Sequence, residues 1–317
     1  MSRKIAITFN HLSDARMERI RAAAEGFELV FCDKGDEAIA DCEAVFGHIT
    51  PEMLGKAAGL RWLHTQSAGV DSYLAPESGL REDITLTNSA GAYGINIAEY
   101  TLTLTLMLLR QMDVYARNQP HAVWEMVGNA STLYGKLVTV VGLGDIGGRY
   151  AALCRALGAK VRGVTRTARS AQPGNADELF TADALDEAIA NADIVALCLP
   201  GTPDTRRLFD RPRLLRLKPG SMLLNIGRGT AVDQDALIEL LQSGHLAGAG
   251  LDVTDPEPLP ASSPLWTLPG VILTPHVSGG ASPESTYDLI VDKFAEYLRD
   301  YAAGRPFKYT VDRRVGY

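Results

Sequence analysis

The sequence predicts an α/β protein of two doubly wound parallel sheets, one domain being inserted into the other. Three observations carry this reading. Short β-rich runs alternate with helical patterns up to about residue 90, and the alternation resumes after a long helix near 96–117, as parallel βαβ units require. A strand near 137–141 runs directly into a glycine-rich turn and another helix. The last helical pattern, from Pro283 to Tyr301, has apolar residues at 287, 290, 291, 294, 297 and 298, a helical period that must pack on something.

The first series reads KIAITF, FELVFC, AVFGHI, RWLHTQ and ITLTNS as strands, separated by the helical stretches SDARMERIRAAAEG, DEAIADC and TPEMLGKAAG. Ser13 and Thr50 stand where N-caps belong, and Pro51 takes the first helical turn, which proline tolerates. The second series supplies LVTVVGL, AKVRGVT, DIVALCLP, SMLLNIG, AGAGLDV and VILTPH. With the terminal helix packed back on the first sheet, that domain is discontinuous.

Between Val141 and a helical run lies GLGDIG, a full GxGxxG. Its place after a strand and before a helix makes it a dinucleotide-binding signal. Gly142 permits the tight turn, Gly144 lets the backbone approach a pyrophosphate, and Gly147 lets helix and strand pack closely; Asp145 and Ile146 complete the loop. The inserted domain is therefore expected to be a Rossmann domain, residues 99–284, within a flavodoxin-like substrate domain of residues 1–98 and 285–317. An acid about 20 residues on grips the ribose 2′-hydroxyl of NAD, whereas arginine accommodates the 2′-phosphate of NADP. Here the next strand ends in Thr165, Arg166, Thr167 and Arg169, without a carboxylate. NADP is expected to be preferred, with NAD possible.

NIGRGTAVD places Arg228 between two glycines just after an apolar strand. Arginine's planar fork suits a carboxylate, and glycine neighbours let the backbone take turns that other residues resist. GLDVTDPEPLP delivers Asp252 and Glu257, and VILTPHVSGGAS delivers His276, each just past a strand. The carboxyl edge of an open parallel sheet is where ligands bind, so topology gathers these residues.

Composition narrows the function further. The 317 residues suit two domains. Hydrophobic residues make up 46% and charged ones 22%, the balance of a soluble globular protein. A net charge of −7 argues against nucleic acid and anionic membranes, which select basic surfaces. Four scattered cysteines without a CxxC pair suggest reduced thiols in the cytoplasm. The apolar run YTLTLTLMLL at 100–109 is far below the ~20 residues that span a bilayer, and the N-terminus lacks a secretory signal. No metal is expected. His64 reads as a core histidine, His11, His121 and His245 as surface or loop residues, and His48 as a residue that could reach the cleft.

Nearly the whole chain resembles the D-isomer-specific 2-hydroxyacid dehydrogenase family. SAGVD at 67–71, GLGDIGGRYAALCRALG, LCLPGTPDT, NIGRGTAVD, LDVTDPEPLP and PLWTLPGVILTPHVSG occur in the family's order and approximate spacing. The resemblance implies that Arg228 holds the substrate's carboxylate and carbonyl oxygen, that His276 is the acid/base, and that Glu257 orients and charge-stabilises the histidine. It assigns Asp252 to the nicotinamide carboxamide, Leu199, Pro200, Thr205, Ile226 and Gly227 to the cofactor side, and the backbone amides of Ala68, Gly69 and Val70 to the substrate carboxylate. Tyr93 is expected as a substrate wall. The chemistry suits these residue types: reducing a 2-keto acid needs a proton donor in reach of the carbonyl oxygen, a role a histidine can fill near neutrality, and a fixed cation for the developing charge.

Two departures stand out. Gly227 replaces the more usual alanine or serine, which is expected to loosen the arginine's setting, and Tyr100 replaces a common histidine on a helix. The expected function is hydride transfer between NADP(H) and a 2-keto acid/D-2-hydroxy acid pair in a cytoplasmic homodimer. The alternatives are a nucleotide-sensing, corepressor-like binding protein and a formate- or phosphite-type dehydrogenase on the same scaffold.

Overall fold

The structure, a computed structural model, describes residues 3–128, 130–168, 175–280 and 282–317. Two compact units emerge, one holding Met1–Tyr93 with Ser282–Tyr317 and the other Gly94–Ala281. The crossings lie a few residues before the expected ones at 98/99 and 284/285.

In the first unit, β1 (Arg3–Ile7), β2 (Phe27–Phe31), β3 (Ala44–Phe46), β4 (Trp62–Thr65) and β5 (Thr85–Asn88) form a sheet of order β2-β1-β3-β4-β5. Every pair is parallel. Successive side chains point to opposite faces, so each strand feeds two cores. Ile5, Ile7, Phe46 and Trp62 share one with Ile290, Val291, Phe294 and Leu298 of the Glu284–Ala302 helix. Ala6, Val45, Leu63 and Leu86 share the other with Met53, Leu54 and Tyr73. The returning helix thus covers this sheet, as its period requires: Phe46 and Phe294 stack at 3.9 Å. The almost fully buried Arg16 ties it down through Glu284 at 2.7 Å and Asp288 at 3.0 Å. His64 lies wholly inside, bonded to Thr87 Oγ1 at 2.7 Å and Ser89 Oγ at 3.2 Å. Burial, with a smaller contribution from Lys293, drives its pKa down to about 3.

The second unit holds β6 (Leu137–Val141), β7 (Lys160–Thr165), β8 (Glu178–Thr181), β9 (Ile194–Leu197), β10 (Ser221–Asn225), β11 (Leu246–Leu251) and β12 (Val271–Leu273). Their order is β12-β11-β10-β9-β6-β7-β8, all parallel. The sequence pattern indicates six of these seven strands; β8, ELFT, has only two apolar residues between polar ones and gains its strand character by pairing with β7. The helix expected over 96–117 is divided into Gly94–Arg110 and Met112–Asn118 by Gln111 in a left-handed conformation, φ 53°. Thr101, Leu104, Thr105 and Leu108 of the apolar run are buried, and Thr105 Oγ1 meets the Tyr150 hydroxyl at 2.9 Å. Among the described residues no helix is long and apolar enough to cross a membrane. The chain winds outward from β6 to β8 and then from β9 to β12, which sets the switch point of the sheet between β6 and β9, where a crevice opens at the strand ends.

Candidate active site

The glycines after β6 answer three separate demands. Gly142 has φ +97°, and a Cβ there would stand 2.5 Å from the Cys198 carbonyl oxygen. At Gly147 a Cβ would stand 2.1 Å from the Gly142 carbonyl oxygen, so only glycine lets the Asp145–Ala156 helix approach the turn. Gly144 is different: no atom lies within 4 Å of the Cβ it lacks. It is the N-cap of that helix and makes no side-chain cap, so the first-turn amides and the positive end of the helix dipole meet open space. This is a cradle that fits a dinucleotide's pyrophosphate. Asp145 turns its carboxylate to Arg149 at 2.8 Å, and Ile146 is half-buried.

At the end of β7, Thr165 is buried and its hydroxyl donates to the Thr167 carbonyl at 2.9 Å. That bond folds the turn on which Arg166 and Thr167 are exposed. Arg169 lies outside the described residues. Across the switch point, Thr205 Oγ1 donates to the Pro200 carbonyl at 2.7 Å and accepts from Thr202 N at 2.9 Å. The loop after β9 therefore closes on itself. Ile226 N donates to the Leu197 carbonyl at 3.2 Å.

Arg228 follows β10 in an extended conformation, φ −142° and ψ 138°. Neither flanking glycine has a positive φ, so backbone freedom is not their purpose. A Cβ on Gly227 would lie 2.4 Å from the Leu199 carbonyl oxygen, and one on Gly229 would lie 1.9 Å from that of Thr254. Both glycines permit backbone-to-backbone contact with neighbouring loops. Gly227 accordingly tightens the setting of Arg228, contrary to the looseness expected from the sequence. The buried Asn225 spans the same turn, donating from Nδ2 to the Arg228 carbonyl at 2.9 Å and accepting from Gly227 N at 3.2 Å. Arg228 Nη1 donates to the Gly227 carbonyl at 2.8 Å.

Gly229 thereby joins the arginine loop to the loop that carries Glu257. Glu257 Oε1 accepts from Thr254 N at 3.1 Å, and its Oε2 lies 2.9 Å from His276 Nδ1. The carboxylate fixes the ring by Nδ1 and leaves Nε2 without a protein partner among the described residues. Both side chains keep surface for a ligand, at 47% exposure for His276 and 39% for Glu257. His276 has φ 52°, a left-handed conformation uncommon for a side chain of this size. Asp252, only 1% exposed, accepts from Thr274 Oγ1, Val277 N and Ser278 N at 2.7, 2.9 and 3.0 Å.

In the other unit, the loop after β4 holds Ala68, Gly69 and Val70. The Gln66 carbonyl accepts from the Tyr93 hydroxyl at 2.7 Å, that of Ser67 from Ser89 N at 3.1 Å, that of Ala68 from Asn88 Nδ2 at 2.8 Å, and that of Gly69 from Ser67 Oγ at 2.8 Å. With these carbonyls tied back, the amides of Ala68, Gly69 and Val70 have no protein acceptor among the described residues, the arrangement of an anion-binding nest. Tyr93, expected as a substrate wall, spends its hydroxyl on holding this loop. His48 Nδ1 meets the Tyr73 hydroxyl at 3.1 Å, and burial lowers its pKa.

Asn88, Ser89 and Asn225 escape sequence reasoning. The available signal is a polar residue at or just past the last position of an apolar strand, where a side-chain amide or hydroxyl can bridge a loop. Among the described residues no cluster of three or more His, Cys, Asp or Glu is placed to hold a metal.

Known proteins place this arrangement. Residues 102–278 match the family described as D-isomer specific 2-hydroxyacid dehydrogenase, NAD binding domain. Glyoxylate/hydroxypyruvate reductase A of Photorhabdus laumondii is 31% identical over 289 residues, 90% of each chain. The crystal structure of a D-isomer specific 2-hydroxyacid dehydrogenase family protein from Aeromonas salmonicida aligns with a TM-score of 0.83 at 30% identity, covering 99% of this chain and 100% of the other. That of a D-isomer specific 2-hydroxyacid dehydrogenase from Xanthobacter autotrophicus, in complex with NADPH and MES, has the same TM-score at 28% identity and covers both chains fully. With a Rossmann sheet, a dinucleotide cradle and an Arg, Glu and His set at its carboxyl edge, the chain belongs to the D-isomer-specific 2-hydroxyacid dehydrogenase family.

Proposed function

We propose that the protein reduces a 2-keto acid to the D-2-hydroxy acid with NADPH. The observation that carries this reading is the 2.9 Å contact of Glu257 with His276 Nδ1, beside a loop that presents Arg228. The carboxylate accepts the Nδ1 proton and orients the ring, so Nε2 is the atom that delivers a proton to the carbonyl oxygen. The Arg228 guanidinium offers paired donors to the substrate carboxylate and carbonyl oxygen and offsets the charge that develops on the latter. In its own unit, the tied-back loop at Ala68–Val70 offers amides of a kind suited to a carboxylate. When bound, the nicotinamide supplies the hydride. Preference for NADPH rests on the exposed Arg166 and Thr167 beyond β7, where an acid would repel a 2′-phosphate, and on the NADPH held by the Xanthobacter relative.

The reading includes a cytoplasmic homodimer. Trp124 is fully exposed and Met126 is 90% exposed, apolar surface of the kind that a second copy covers. The cysteines are unpaired, as a reducing compartment keeps them.

The test is a kcat/KM panel over glyoxylate, hydroxypyruvate and longer 2-keto acids with both cofactors, followed by chiral chromatography. Turnover with NADPH ahead of NADH and an (R) product are expected. An (S) or racemic product, or no turnover with any 2-keto acid, overturns the reading.

A further inference from the structure

We infer that Asn175 is a positioning residue for cofactor selection: docked on Gly148 of the Asp145–Ala156 helix, it sets the connection between β7 and β8 so that Arg166 and Thr167 receive the 2′-phosphate of NADPH. The inference rests on the NADPH preference proposed above and deepens that reading.

Gly148 is buried in the helix that follows the dinucleotide glycines, at a position where no positive φ calls for glycine. Glycine inside a helix costs stability against alanine, so another demand must set it. A Cβ at 148 would stand 2.6 Å from Asn175 Nδ2, and among the described residues Asn175 alone, outside the helix itself, has atoms within 4 Å of it. Nδ2 donates to the Gly148 carbonyl at 2.7 Å. That bond fixes the amide, because the reversed amide would set two acceptors against each other. Asn175 Oδ1 is buried and meets no donor among the described residues, which again costs stability. Both partners thus weaken the fold to make one contact, and the reason for the contact lies in what it places.

It places the end of the β7–β8 connection. Two residues on, Asp177 Oδ1 meets Arg155 Nε at 3.1 Å, Oδ2 accepts from Val161 N at 2.7 Å, and Asp177 N donates to the Val161 carbonyl at 2.8 Å. Gly148 and Arg155 lie about two turns apart on one face of the helix, so the chain follows that face into β8. At the other end, the Thr165 hydroxyl holds the Thr167 carbonyl, and Arg166 and Thr167 stand exposed at the end of β7. Of these ties, Asn175 is the one beside the glycine turn. A 2′-phosphate and a pyrophosphate belong to one nucleotide, so the groups that receive them must keep one spacing. A bond from the connection to the helix that opens the cradle enforces that spacing. NADH has no 2′-phosphate and does not need it.

Gly148→Ala tests the assignment, because its methyl displaces only the end of a flexible side chain. Its Tm should hold or rise, since alanine is the better helix former. Titrated by fluorescence without substrate, the dissociation constant for NADPH should rise about tenfold or more, as loss of one charge-assisted hydrogen bond produces, while that for NADH stays within about twofold. Asn175→Ala should do the same without adding a methyl to the helix, which keeps the inference testable if the first variant does not fold. The double variant should lose no more than either single one, because both remove one contact. Equal weakening of NADPH and NADH would set the methyl or the connection against a part that both cofactors share, and would overturn the inference. So would an Asn175→Ala protein whose NADPH and NADH affinities both stay within about twofold of wild type, or losses that add in the double variant. A wild-type protein that binds NADH as tightly as NADPH would overturn the proposed preference instead; the change in the ratio of the two affinities on mutation would still decide the role of Asn175.

Discussion

Replacing Gly229 by alanine tests whether close packing explains the glycine beside Arg228. A Cβ at 229 falls 1.9 Å from the Thr254 carbonyl oxygen and 2.1 Å from its carbon, backbone atoms that no rotamer can move aside. Contacts under 3.0 Å are essentially never adopted by real Cβ atoms, so the two loops must part by about 1 Å. Thr254 N holds Glu257, and Glu257 holds His276, so the shift separates Arg228 from the acid/base pair. A misplacement of about 1 Å costs roughly 100-fold in rate, which is about 2.7 kcal/mol of transition-state stabilisation. Overpacking costs about 1–3 kcal/mol of stability, and a unit of this size loses roughly 2–4 °C of Tm per kcal/mol. Steady-state reduction of glyoxylate by NADPH and calorimetry read both effects. Gly59→Ala is the control, because its Cβ meets nothing within 4 Å. A Gly229→Ala enzyme with the wild-type Tm and a kcat/KM within about threefold refutes the argument.

Gly144→Ala should do the reverse, leaving Tm unchanged while raising the KM for NADPH about tenfold or more, because its Cβ enters open space where a pyrophosphate must approach. Arg228→Lys should lower kcat/KM by about 100-fold despite the retained charge, since lysine lacks the planar fork; a value within about threefold of wild type argues against paired donors. Glu257→Gln removes the carboxylate that accepts from Nδ1 while keeping a group of the same size there, so the ring is held less well and reduction should slow about tenfold, as steady-state kcat/KM would record. His64 makes the protein acid-sensitive: its folded pKa of about 3 lies below the unfolded value of ~6.5, so the unfolded state binds the proton first as pH falls. Its contribution is complete above pH ~6.5 and declines by about 1.4 kcal/mol per pH unit down to about pH 3. Urea unfolding at pH 7 and pH 5 should therefore show His64→Asn losing about 2 kcal/mol less than wild type between the two.

The sequence by itself determined what depends on local period and spacing. Short β-rich runs between helical stretches mark eleven of the strands seen, the 3.6 period between Pro283 and Tyr301 identifies a helix that covers the first sheet, and GLGDIG between a strand and a helix marks the dinucleotide turn. These signals are legible because each residue's environment repeats along the chain. Arg228, Glu257 and His276 were candidates for a similar reason, since parallel topology sends successive strand ends to one edge. Only the tertiary structure decided how that edge works. It shows that Gly227 and Gly229 are set by the backbones of Leu199 and Thr254 rather than by a turn of their own. It brings Glu257 to Nδ1, encloses Asp252 in the turn that holds His276 left-handed, and turns Tyr93 toward Gln66. The four-residue β8 and the break at Gln111 also became visible there. Each of these depends on groups that meet through space or on a conformation imposed by the surroundings. Sequence period carries no record of distance between loops, and hydrogen bonds and van der Waals contacts act only at that distance.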